Sequence, residues 1–175
     1  MKNTLIYASI LIIGMSIFVY GIEQAWWVTV EYEAKGNMIE GIPINDINKD
    51  WTKVRVLTNE DLPAEELGES SNFKANGASF SIISDFDNDS KMEKAVVGVY
   101  ENVNKERGSF LLILHRTKND KWKKVFLANM KDKCNFSALS LRGKMLLWLA
   151  ALNTDNYGTL TFGKKGYELD WNQGE

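Results

Sequence analysis

The chain has 175 residues, 45% of them hydrophobic and 11% aromatic, with one cysteine and a formal net charge of −2. That is enough apolar material for one folded domain after an N-terminal segment, and the near-neutral charge argues against a general nucleic-acid binder. The lone Cys134 excludes an intramolecular disulfide and a cysteine-based zinc site, and reads as a small buried apolar residue.

Thr4 to Ile22 is a run of nineteen residues without a charge. A helix rising about 1.5 Å per residue over that length nearly spans a hydrocarbon core of about 30 Å. Lys2 precedes the run and Glu23, Glu31 and Glu33 follow it, which puts the N-terminus in the cytoplasm and the rest outside. Tyr20, Trp26 and Trp27 are then placed for the outer interface, where amphipathic rings are favoured. A cleaved signal peptide is the alternative. Its apolar core is usually about 7–15 residues, and cleavage after Ala25 would leave Glu23 at the −3 position, a poor fit. Residues 1–25 are therefore expected to form a membrane anchor or uncleaved signal. The domain is exported either way, and secreted if the segment is cleaved.

Beyond the anchor, Trp27 to Glu33 alternates and suggests a first strand. Lys35 to Lys49, with two glycines and a proline, reads as loop, and Trp51 to Leu57 alternates again. Thr58 caps a short helix over Glu60 to Leu67, limited by Pro63, and residues 68–77 are polar and loop-like. Residues 26–77 are thus expected to be a linker with a strand and a short helix. From Ala78 the texture changes to short apolar runs between turn signals. Eight strands are expected, at 78–84, 94–101, 109–116, 122–128, 136–141, 144–152, 158–162 and 166–171. In the last pair, Leu160 and Phe162 alternate with threonines, and Tyr167, Leu169 and Trp171 alternate with acids, so one apolar face results. The expected fold of residues 78–175 is a mainly β antiparallel meander in two four-stranded, blade-like sheets, arranged as a sandwich or open barrel. Two blades cannot close a propeller, which needs at least about four.

The chemistry concentrates between the first two of these strands, in Ser84-Asp-Phe-Asp-Asn-Asp-Ser-Lys-Met-Glu93. Asp85, Asp87 and Asp89 occupy alternate positions, so their carboxylates can converge on one point. Lys91 can add its backbone carbonyl, and Glu93 follows four residues after Asp89. Ca²⁺ takes six to eight oxygen ligands at about 2.3–2.6 Å, which such a loop suits. An EF-hand is excluded, because its glycine and its final glutamate are here Ser90 and Val96 and the flanks are strands. The D-x-D-x-D-x-x-x-E loop between apolar strands resembles the calcium loop of the FG-GAP (VCBS-type) repeat, whose usual form is D-x-[DN]-x-D-G-x-x-D. That repeat occurs in integrin-α propellers and many bacterial extracytoplasmic proteins. Asp85, Asp87 and Asp89 match it directly; Ser90 stands for its glycine and Glu93 for its last aspartate. The resemblance covers a single copy, about residues 80–101. It implies one structural calcium and a surface presented to partners. The alternative reading of the loop is a solvated acidic turn.

No G-x-S-x-G, H-E-x-x-H, P-loop or G-x-G-x-x-G occurs. His115, the one histidine, lies near the end of an expected strand, and only spatial approach to Cys134 would make a catalytic pair. Charge is uneven. Residues 31–69 hold ten acids against four bases, and 116–133 hold seven bases against two acids, which suits an acidic partner, an anionic lipid surface or protected hairpin tips. Trp51, Trp122 and Trp171 flank strands and leave a sugar-binding surface open, whereas Trp148 reads as core. The function expected is therefore that of a membrane-anchored extracytoplasmic β domain that binds a protein partner, for example as an envelope immunity or inhibitor protein. An envelope-acting hydrolase with the acidic loop at its active site, and a purely structural envelope component, are the alternatives.

Overall fold

Two apolar runs, Val96–Tyr100 and Phe110–Leu114, lie side by side at the centre of the protein, almost completely buried. The structure, a computed structural model, describes residues 25–131 and 134–172. The described chain opens with a helical turn, α1 (Trp26–Thr29). A hairpin, β1 (Met38–Ile39) and β2 (Ile42–Pro43), a short helix, α2 (Ile44–Ile47), and a strand, β3 (Trp51–Val56), follow. Two 3₁₀ turns, Asn59–Asp61 and Ala64–Leu67, and a short helix, α3 (Asn72–Ala75), lead to the remaining strands. These are β4 (Ser81–Ser84), β5 (Glu93–Asn102), β6 (Arg107–Arg116), β7 (Trp122–Lys131), β8 (Ala138–Arg142), β9 (Met145–Leu149), β10 (Tyr157–Gly163) and β11 (Gly166–Asn172).

The fold is mainly β and its paired strands run antiparallel. β4 to β7 pair in succession, and β8 to β11 do the same in a second sheet. Each of the eight expected strands is there, with ends moved by a few residues. β3 joins the first sheet beside β4. It pairs with the Gly98–Asn102 half of β5, whereas Ser81–Ser84 pair with Glu93–Val96. A two-way backbone bridge ties Ser79 to Leu139 (2.8 and 2.7 Å) and links the sheets. No barrel closes among the described residues.

β5 and β6 are buried on both faces, which explains why they read as continuous apolar runs. Ala95, Val97, Val99, Leu111 and Ile113 share a core cluster with Phe136, Leu139, Trp148 and Leu160 of the second sheet and its approach. The opposite face, with Val96, Tyr100, Phe110, Leu112 and Leu114, is covered by Ile39, Ile44, Ile47 and Trp51. Gly98 permits this packing. A Cβ there would lie 2.2 Å from the Arg55 carbonyl oxygen and 2.6 Å from the Phe110 ring, so a side chain would force β3 away from β5.

Residues 26–77, expected as a linker, belong to the same core. Tyr32, Ala34, Leu57, Leu62 and Phe73 lie in the cluster that holds Phe136 and Trp148. The strand expected over Trp27–Glu33 is instead the helical turn α1 followed by irregular chain. Tertiary packing overrides the alternation. The Trp26 ring stands edge-on to Phe136 at 5.1 Å and to Trp27 at 5.8 Å, and its Nε1–H donates to Glu66 Oε1 at 2.9 Å. Both tryptophans are partly buried against the domain, while Tyr20 lies outside the described residues. The helix expected over Glu60–Leu67 is split at Pro63 into the two 3₁₀ turns. Its capping is as expected, with the Thr58 N–H donating to Asp61 Oδ2 at 2.9 Å. The span expected over Thr4–Ile22 also lies outside the described residues. Among those described, no helix is long and apolar enough to cross a membrane.

Candidate metal centre

The ladder between β4 and β5 ends at the pair Ser84–Glu93, and the chain between them makes the excursion Asp85–Met92. The aspartates build this loop by binding its backbone, as short acidic side chains do in turns. Asp85 accepts from the Asp89 N–H through Oδ1 and from the Ser90 N–H through Oδ2, both at 3.1 Å. Asp87 Oδ1 accepts from the Asp89 N–H at 3.0 Å, and Asp89 Oδ1 from the Lys91 N–H at 2.8 Å. Asn88 and Ser90 take left-handed backbone angles, φ +60° and +68°. Ser90 thus makes the turn for which the resembling repeat uses glycine, despite the cost of a Cβ in that region.

The outcome is that one carboxylate oxygen from each of Asp85, Asp87 and Asp89 lies within 4.8 Å of the others. Asp85 and Asp87 are half-buried and Asp89 is exposed. The Lys91 ammonium, 2.6 Å from Asp89 Oδ2, holds the Asp89 carboxyl below the usual carboxylate range. An all-oxygen, carboxylate-rich set suits a hard cation such as Ca²⁺. A cation there would compete with Lys91 for Asp89.

Glu93, the fourth expected ligand, is not in this group of three. It is 1% exposed and turns inward, accepting from the Phe86 N–H through Oε2 at 2.9 Å and facing His115 Nδ1 through Oε1 at 3.5 Å. Burial raises its pKa, and the Phe86 and His115 contacts partly offset the rise. Its place in the structure is to hold the floor of the loop: Phe86, 8% exposed, packs into the core beside it.

Two neighbours complete the surroundings. Lys144, in the turn between β8 and β9, donates to Asn88 Oδ1 at 2.8 Å. Tyr167, at the start of β11, packs its ring on Phe162 at 5.0 Å and Phe126 at 5.9 Å. Its buried hydroxyl has no hydrogen-bond partner among the described residues. Burial, and then the negative charge of Glu93, Asp87, Asp89 and Asp85, pushes its pKa far above that of an ordinary phenol. The alternation of β11 marked Tyr167 only as part of an apolar face and gave no sign that it approaches the loop.

The other expected features separate. The Cys134 thiol lies against the carbonyls of Tyr100 and Gly108 (3.6 and 3.7 Å), whereas His115 pairs with Glu93 at the other end of β6. From Gly108 to His115 the strand covers about 23 Å at ~3.3 Å per residue, so Cys134 and His115 form no catalytic pair. The basic stretch divides in the same way. Arg116 to Lys124 sit at the loop end, Lys131 sits at the far end on Glu106, and Lys133 is outside the described residues. Trp51 is buried and stacks on Tyr100 at 4.8 Å, so it offers no face to a sugar. No protein family, curated protein or solved structure matches this chain.

Proposed function

We propose that this chain is a membrane-anchored, extracytoplasmic β domain that binds a protein partner, with one structural calcium on Asp85, Asp87, Asp89 and the Lys91 carbonyl. Anchoring through residues 4–22 is supported by the uncharged run and by the acids that follow it. The observation that carries the calcium reading is the convergence of the three aspartates on a loop with Ser90 in the left-handed region. The same geometry supports the resemblance to the FG-GAP loop. Glu93 is occupied by the backbone it supports, so the loop contributes three side chains and leaves the remaining positions to carbonyls and water.

Binding gains over hydrolysis from the state of the acid–base groups. A general acid or base must reach the proton it moves. Glu93, the acid beside His115, is 1% exposed and already hydrogen-bonded. The finer architecture we infer is a pair of blade-like sheets, one of five strands because β3 joins it and one of four, whose shared end presents the loop to the partner.

The test is photo-crosslinking in the native membrane. A photoreactive side chain at Asn88, in the loop, is compared with one at Lys105, in the β5–β6 turn at the other end. A discrete adduct from Asn88 that disappears with a chelator and with Asp87→Ala is the expected result. Adducts of equal yield from both positions, or an Asn88 adduct indifferent to calcium, contradict the reading.

A further inference from the structure

The strand registers sort the surface into two ends. The loop Asp85–Met92, the β6–β7 turn, the β8–β9 turn and the β10–β11 turn lie at one. At the other lie the β5–β6 turn, the segment between β9 and β10, and α1 with its Trp26. The identity of this second end follows from contacts. Trp26 stands on Phe136, and Arg107, which opens β6, pairs with Glu31 at 2.7 Å. Trp27 and Val28 line a cleft of about 260 Å³ with Ala150, Ala151 and Asn156.

Trp26 is held firmly. Its indole donates to the buried Glu66, its ring packs on Phe136, and its carbonyl accepts the Val30 N–H at 2.9 Å. A little further on, the Tyr32 N–H donates to the Cys134 carbonyl at 2.9 Å. The uncharged run ends at Ile22. The four Cα steps from Ile22 to Trp26 reach roughly 14 Å at full extension, at ~3.3–3.6 Å per residue. The nine steps of β5 from Glu93 to Asn102 set the loop about 30 Å beyond the turn at the Trp26 end. The tether is shorter than the domain is long, so the clamp keeps the α1 end within about 14 Å of the end of the run, and with that end seated the loop stands about 30 Å above it.

We propose that the Trp26 clamp seats the α1 end of the domain on the lipid headgroup surface of its own membrane and holds the acidic loop facing away from it. This rests on the anchoring reading given above. At the seated end Val28 and Val103 are 55% and 58% exposed, and Trp27 is half-buried next to Val28. Among the described residues there, Lys105 pairs with Glu101, Arg107 with Glu31 and Lys131 with Glu106. Contact there is made by apolar and aromatic groups, which favour the interface.

The test uses the full chain in phosphatidylcholine vesicles carrying a headgroup-attached quencher. A fluorophore is placed at one position at a time, Val103→Cys or Asn156→Cys at the seated end and Asn119→Cys or Lys164→Cys at the loop end. The buried Cys134 stays in place. The chain is expected to float with the vesicles, with quenching at the seated end at least threefold that at the loop end. A twelve-residue Gly-Ser insertion after Glu23, which leaves the clamp intact, is expected to bring that ratio close to one. Flotation with equal quenching at all four positions overturns the clamp while leaving the anchor standing. A ratio unchanged by the insertion overturns the short tether as its cause. Failure to float overturns the anchoring reading itself, and this inference with it.

Discussion

Glu66 is the residue on which the N-terminal segment hangs. It is 4% exposed, and its two oxygens accept from the Trp26 indole and from the Phe73 N–H, each at 2.9 Å. Both partners are donors, so only a carboxylate satisfies them together; an amide would turn its NH₂ toward one of them. Hydrogen bonds to a charged acceptor contribute about 1.5–3 kcal/mol each. Removing both with Glu66→Ala loses about 3–6 kcal/mol, from which the relieved desolvation of the carboxylate subtracts a part, leaving about 3 kcal/mol. Glu66→Gln is expected to cost about half as much. For a domain of this size each kcal/mol lowers Tm by about 2–4 °C, so Glu66→Ala should melt roughly 6–12 °C lower. Urea unfolding of a chain beginning at Ala25 measures the difference. Trp26→Phe, which keeps an aromatic ring and removes the donor, completes a double-mutant cycle with an expected coupling of about 1–2 kcal/mol. A loss below about 1 kcal/mol for Glu66→Ala, or strict additivity in the cycle, would refute the reasoning.

Three further substitutions test other parts of the account. Gly98→Ala drives a Cβ to 2.2 Å from the Arg55 carbonyl oxygen and should cost about 3 kcal/mol, at the upper end of overpacking, read as a fall in urea midpoint at unchanged slope. Ser90→Gly removes the left-handed penalty at φ +68° and should raise stability by about 0.5–1 kcal/mol after the glycine's own entropic cost; a loss would show that the Ser90 side chain matters beyond its conformation. Burial raises the Glu93 pKa, so its neutral form favours the fold, and that contribution is lost as pH rises through the raised value. Glu93→Gln keeps the acceptor for the Phe86 N–H and should therefore gain on the natural protein as pH is raised from about 4 to about 8; parallel stability curves would contradict this.

The eight later strands were legible because each carries either a two-residue alternation or a short apolar run ending in a turn. Phe110–Leu114 shows the limit of that signal, since a run buried on both faces says nothing about which neighbour covers which side. What covers one of those sides is made from α2 and the hairpin of β1 and β2, elements too short to show a period. The Trp26 clamp depends on Glu66, forty residues away, and no local pattern joins them. In the loop, the alternation of Asp85, Asp87 and Asp89 was readable and the structure brings the three together. Glu93 was read by its spacing from Asp89, yet its parity carried the better information. It shares a strand face with Ala95, Val97 and Val99, which point into the core, and so it points inward too. Tyr167 reaches the loop only because the second sheet folds back on the first, a relation the sequence of β11 does not contain.

Thermal unfolding of a chain beginning at Ala25, with excess calcium and with a chelator, tests the central claim most directly. Calcium at 100 times its Kd should stabilise the fold by about 2.7 kcal/mol, a rise in Tm of roughly 5–11 °C. The account predicts that rise in the natural sequence and its disappearance in Asp87→Ala. Equal melting with calcium and with chelator, or a rise that survives Asp87→Ala, would contradict a calcium site in this loop.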